Sequence, residues 1–185
     1  MRTIAMLRVL VFLLAADQCI WAQDSYPRAE IFGGGSFIPA NGMDFPRKDS
    51  LGFQASLSAN VNRWFGITGD FGGQYSNTPD LGPNYNHASA HTSVYEYLVG
   101  PRFTKRTERV NVFAHALVGR ATGRTNLSGF SNSGFALGGG GGFDINLSSR
   151  IAIRPLQVDY LGSFADMLET NVRIGAGVVI KLGNK

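Results

Sequence analysis

The sequence predicts an all-β chain: an eight-stranded antiparallel up-and-down transmembrane β-barrel with a polar, largely filled interior. Three observations predict this fold. Strand-length segments alternate apolar and polar side chains, which gives each strand one apolar and one polar face. The connections alternate between longer polar loops and short turns, as in a transmembrane barrel. The polar faces carry acids and bases among small residues, whereas a soluble barrel would display many Lys and Glu there.

Composition limits the classes of protein that the chain can be. Its 185 residues suffice for one domain, and a charged fraction of 16% with abundant aromatic residues argues against disorder. The net charge of +4 comes from scattered basic residues, so no nucleic-acid surface is predicted. Beyond the N-terminus, no apolar run approaches the ~20 residues of a membrane helix.

The N-terminus has the pattern of a secretory signal. Residues 1–22 combine two arginines, an apolar stretch and a small residue, Ala22, before the expected cleavage site. Residues 23–185 then form the barrel domain. An uncleaved anchor and a lipidated Cys19 are the alternatives. Cys19 is the only cysteine, so after cleavage the chain would need no disulfide in an oxidising compartment.

The first three strands are predicted at residues 29–38, 53–61 and 65–75, with a polar loop at 39–50. The second and third strands give the clearest signal. Their join around Asn62 and Arg63 is too short for a crossover helix, so they form an antiparallel hairpin. One face of this hairpin is apolar and comprises Phe53, Ala55, Leu57, Ala59, Val61, Phe65, Ile67, Phe71 and Tyr75.

Alternation predicts five further strands, at residues 93–104, 110–121, 134–146, 151–161 and 171–182. The longer connections are 76–92, 122–133 and 162–170, and the short turns are 105–109 and 147–150. Pro155 lacks an amide donor, so it marks a bulge or an edge-like irregularity within the seventh strand. The facing of Gln157 and Asp159 beyond it stays open.

The polar faces should look inward. Every backbone amide must be paired in lipid, so the sheet must close, and eight strands enclose a space that side chains can fill. Trp64, Phe65, Tyr75 and Phe103 stand at strand ends, where aromatic girdles form. The predicted interior ion-pair network comprises Asp70, Glu96, Arg102, His115, Asp144, Arg154 and Arg173.

Several segments resemble the small eight-stranded outer-membrane β-barrel proteins of Gram-negative bacteria, the OmpA-like and OmpX-like barrels. They read FGGGSF (32–37), YLVGPRF (97–103), VFAHALVG (112–119), ALGGGGGFD (136–144), RPLQVDYL (154–161) and VRIGAGVV (172–179). The resemblance implies Sec-type export to the outer membrane, with outer-membrane lipids and the barrel-assembly machinery as partners. Such proteins commonly end in an aromatic residue, whereas this chain ends Leu182-Gly183-Asn184-Lys185.

No cofactor, metal site or catalytic constellation is predicted. The five-glycine run lacks the Lys-Ser/Thr of a phosphate loop. His87, Ser89 and His91 have no clear acid partner, and two histidines do not complete a metal site. The interior charges allow two interpretations. They form a fixed plug of ion pairs, or they form a gate in which Asp70 or Glu96 exchanges between arginines.

The hypothesis is therefore a non-enzymatic outer-membrane barrel with a structural or surface-interaction role and four longer loops outside. A surface partner would bind through those loops. The alternatives are a lipid-modifying enzyme that uses Ser89 and His87, a narrow pore, and a secreted lipocalin-like carrier of an apolar ligand. A carrier would have its apolar faces inside the barrel.

Overall fold

The computed structural model describes residues 26–40, 49–78, 89–126, 131–164 and 168–184. Each strand pairs antiparallel with the next, and β1 pairs with β8, so the sheet closes into a barrel and the predicted fold class is confirmed. The described residues contain no helix that is long and apolar enough to cross a membrane. The strands are β1 (Pro27–Ile38), β2 (Ser50–Asn60), β3 (Phe65–Thr78), β4 (Ala90–Arg106), β5 (Val110–Thr125), β6 (Ser131–Asn146), β7 (Ile151–Phe164) and β8 (Leu168–Asn184).

Most strands extend beyond their predicted ends on the side of the longer loops. The prediction ended each strand where apolar alternation stops, but backbone pairing continues through polar side chains, as between Asn77 and His91. The ends of the predicted loops at 76–92, 122–133 and 162–170 are therefore strand. At the opposite end Val61 lies in the turn instead of β2, and its amide donates to the carbonyl of Phe65 at 3.0 Å.

The apolar faces point away from the barrel interior. Large apolar side chains such as Leu57, Ile67, Tyr97 and Val112 are each at least half exposed. Their strand neighbours Ser58, Thr68, Glu96 and Asn111 are buried inside. This outward apolar band excludes the lipocalin-like carrier, because that alternative needs the apolar faces inside.

Aromatic side chains gather at both ends of the apolar band. At the end with the short turns, Trp64 stacks on Phe103 with ring centroids 5.9 Å apart. Toward the longer loops, the hydroxyls of Tyr75 and Tyr95 lie 3.2 Å apart. Amphipathic rings of this kind suit membrane interfaces.

The bulge predicted at Pro155 is present. The register between β7 and β8 shifts between Arg154 and Gln157, and the register between β6 and β7 shifts opposite it. The shift places Leu156 outside and turns Gln157 and Asp159 inward, where each is 1% exposed. Their facing, which the sequence left open, is thus set by the bulge.

Candidate functional site

The charged side chains of the interior form two clusters, which we call the central cluster and the turn-end cluster. The turn-end cluster lies nearer the short turns. The central cluster consists of Asp70, Glu96, His115, Asp159 and Arg173. The turn-end cluster consists of Glu30, Arg102, Arg106, Asp144, Arg154 and Lys181.

The central cluster is organised around Arg173 on β8, whose side chain is fully buried. Its Nη2 donates to Asp70 and to Asp159, each at 2.8 Å, and its Nη1 donates to Glu96 at 3.0 Å. His115 Nε2 lies 2.8 Å from the other oxygen of Asp159. One guanidinium therefore joins carboxylates from three strands, β3, β4 and β7.

The turn-end cluster is an alternating chain of arginines and acids. Arg154 Nε donates to Asp144 at 2.7 Å, and Arg102 Nη2 lies 3.4 Å from the same carboxylate. Arg102 Nη1 is 3.0 Å from Glu30, which Arg106 Nη1 also contacts, at 2.5 Å. Arg102 further donates to Ser58 Oγ at 2.9 Å, and the Ser58 and Thr68 hydroxyls are hydrogen-bonded.

Gln157 connects the two clusters. Its side-chain oxygen accepts from Arg154 Nη1 at 2.7 Å, and its amide nitrogen donates to Asp159 at 2.8 Å. In the turn-end cluster, the guanidinium carbons of Arg102 and Arg154 each lie 4.2 Å from the ring centre of Phe113. The cations thus gain cation–π contacts in addition to their carboxylates.

On the inner side of β4, β5, β6 and β7, an apolar layer lies nearer the longer loops than His115 and Asp159 do. It consists of Leu98, Leu117, Ala121, Ala136 and Leu161. The interior therefore stacks a charged turn end, a charged centre and an apolar layer. A small barrel with such contents is a packed core.

All seven side chains of the predicted network lie in the interior and are buried. The structure divides them between the two clusters, because Asp70 and Glu96 contact Arg173 while Arg102 and Arg154 contact Asp144. The predicted list missed several partners: the buried residues Glu30, Gln54, Gln157, Asp159 and Lys181, and the half-buried Arg106. Lys181 alternates with the apolar residues Ile180 and Leu182 of β8, but alternation alone does not identify which polar residues form ion pairs.

Of the three loop residues considered for catalysis, the structure describes Ser89 and His91. Ser89 is exposed just before β4, and His91 is an exposed strand residue instead of a loop residue. His87 lies outside the described residues. In the part of the chain that the structure describes, no group of three or more His, Cys, Asp or Glu residues is arranged to hold a metal ion.

The closed barrel, its outward apolar band and its charged interior define the fold of a small outer-membrane β-barrel. No family model and no curated protein sequence matches the chain. Neisserial surface protein A is similar in structure, with a TM-score of 0.63 and 13% identity over 86% of this chain and 99% of that one.

The attachment invasion locus protein Ail of Yersinia pestis is also similar, with a TM-score of 0.51 and 20% identity over 82% of this chain and 95% of that one. Ail in complex with the heparin analogue sucrose octasulfate gives a TM-score of 0.54 and 19% identity, over 82% and 96% of the two chains. At these identities the likeness concerns the fold.

Proposed function

We propose that this chain is an integral outer-membrane protein with a structural or surface-interaction role, and that it is not an enzyme. The filled interior carries this proposal. A barrel that has packed its lumen with paired charges and an apolar layer has no open route for solutes. Its contacts with the surroundings are then made by the outer band and by the two ends.

We further propose that the interior network is a fixed plug. Arg173 holds Asp70, Glu96 and Asp159 at the same time. Exchange of one carboxylate to another arginine would leave a charge buried and unpaired, which is strongly unfavourable. The predicted gate requires such an exchange, so the geometry favours the plug.

The proposed partners of the barrel are those that would contact its apolar band and its longer loops. The apolar band and its aromatic ends suit outer-membrane lipids, and a barrel of this kind requires the barrel-assembly machinery after Sec-type export. Residues 1–22 would be the signal and 23–185 the mature barrel. The longer loops would face outside and bind a surface partner, and the complex of the similar protein Ail with a heparin analogue supports this class of role.

The closed interior makes conductance the direct test. Purified, refolded protein in planar bilayers is expected to give no large, steady single-channel conductance, because paired charges and apolar side chains occupy the interior of a small barrel. The membrane without protein is the control. Steady channels that scale with protein concentration would refute the filled barrel and favour the narrow pore.

The orientation is testable with a matched pair of cysteines in a Cys19→Ser background. Ser89 lies at the end with the longer loops and Ser149 at the end with the short turns, and both are exposed. In intact cells a membrane-impermeant maleimide is expected to label Ser89→Cys strongly. Ser149→Cys is expected to react only after the outer membrane has been permeabilised. The reverse pattern would contradict the proposed orientation.

A further inference from the structure

At the end with the short turns, the barrel interior opens into a polar pocket of about 350 Å³. Arg106 and Lys181 contribute positive charge to its wall. Hydroxyl and amide groups surround them, from Thr107, Asn111, Asn146, Ser148 and Ser149. This volume lies at the lower end of the range for small-molecule pockets, roughly 300–1,000 Å³.

The turn-end cluster beneath this pocket has more cations than anions. It contains four basic side chains but only two carboxylates, Glu30 and Asp144. Both carboxylates are already shared, Glu30 between Arg102 and Arg106, and Asp144 between Arg102 and Arg154. Buried positive charge without a counter-charge is unfavourable, so this end of the barrel is suited to an additional anion.

Lys181 does not form an ion pair with the carboxylate nearest to it in the sheet. It stands directly opposite Glu30 in the register of β1 and β8, but the Glu30 carboxylate pairs with Arg102 and Arg106. The Lys181 ammonium donates instead to the neutral side-chain oxygen of Asn146, at 2.5 Å. An ammonium carries three donors, so one neutral contact among the described residues leaves capacity for an anionic ligand.

Arg106 also has donor capacity at the pocket wall. Its Nη1 contacts Glu30 and its Nε donates to the carbonyl of Arg63. Its Nη2 is buried without a hydrogen-bond partner in the described part of the chain. An unpaired donor on a buried guanidinium is costly and is compensated when an acceptor binds.

We propose that this pocket is a binding site for a small oxyanion, specifically a phosphate group. Arg106 supplies a guanidinium, the group that matches phosphate geometry, and Lys181 supplies a point charge. The hydroxyls of Ser148 and Ser149 donate to the remaining phosphate oxygens, whereas the Asn146 amide already donates to the carbonyls of Thr107 and Glu108. The exposed carboxylate of Glu108 lines the same pocket and weakens the binding of any anion.

The test uses the barrel refolded in phosphate-free maltoside micelles and titrated with inorganic phosphate. Backbone amide NMR resonances around residues 106, 148 and 181 are expected to shift and saturate, while those at the loop end stay unchanged. Lys181→Gln is expected to raise the Kd about tenfold, because it removes a charge-assisted contact. Arg124→Gln makes the same charge change at the far end and is expected to leave the Kd unchanged.

Glu108→Gln provides an independent test, because this exposed turn residue can be changed without disturbing the core. The variant is expected to bind phosphate more tightly. The proposal is wrong if Lys181→Gln and Arg124→Gln weaken binding equally, if the shifts spread over both ends, or if acetate binds more tightly than phosphate. Shifts at the same amides in phosphatidylglycerol nanodiscs without phosphate would identify a lipid headgroup as the source of the phosphate.

Discussion

Arg173→Met is expected to lower the free energy of unfolding of the refolded barrel by at least about 3 kcal/mol. The substitution removes the guanidinium that binds Asp70, Glu96 and Asp159 and keeps a side chain of similar length. Three carboxylates then remain in a buried site, and His115 is the only other basic partner that the central cluster contains among the described residues. Urea unfolding in phospholipid vesicles measures the loss.

The chain offers a convenient probe and a matched control for this experiment. Trp64 is the only tryptophan within residues 23–185, and its side chain is exposed at the turn end, so its fluorescence reports unfolding. Arg124→Met removes the same charge from an exposed strand residue and is expected to change stability by less than about 0.5 kcal/mol.

Neutralising the carboxylates should restore part of the free energy of unfolding that Arg173→Met loses. Arg173→Met combined with Asp70→Asn and Asp159→Asn removes the cation and two of its partners together. Replacing a whole buried ionic group is much less unfavourable than removing one member of it. The triple variant is therefore expected to be more stable than Arg173→Met alone. Equal stability of Arg173→Met and the wild type would show that Arg173 does not neutralise the centre.

The barrel could be predicted from the sequence because a lipid environment imposes a simple alternation of apolar and polar side chains on each strand. Lipid-facing side chains must be apolar and backbone amides must be paired, so alternation and loop lengths together limit the possible folds. The strand ends were less predictable, because outside the apolar band the ladder continues through polar residues such as Asn77 and His91. Alternation of apolar residues does not detect that continuation.

The sequence predicted that charged residues lie in the interior, but it did not predict which of them form ion pairs with each other. Alternation identified Arg173 and Glu96 as interior residues, but which acid meets which arginine depends on the stagger of the strands. Asp159 shows the limit most clearly. The bulge at Pro155 displaces the register, so the parity of β7 before Pro155 does not predict the residues that follow it.

Gly34→Val is expected to prevent the barrel from closing, whereas Gly33→Val is expected to leave it intact. Gly34 faces Gly177 across the β1–β8 seam, where the first and last strands meet. A Cβ on Gly34 would lie 2.1 Å from the carbonyl oxygen of Ala176, and a Cβ on Gly177 would lie 2.2 Å from that of Gly33. These obstacles are backbone atoms, so rotation of a side chain cannot relieve them.

The neighbouring glycine separates this steric effect from strand propensity. Gly33 points outward, and a Cβ there would meet no atom within 4 Å. Valine favours strands, so Gly33→Val should fold at least as well as the wild type. Gel electrophoresis with and without boiling measures the outcome, because a folded barrel that resists detergent migrates differently from the unfolded chain. A heat-shifting band for Gly34→Val as strong as that for Gly33→Val would mean that the seam has room for a side chain. Its absence in Gly34→Val alone would show that closure depends on close contact between the backbones of β1 and β8.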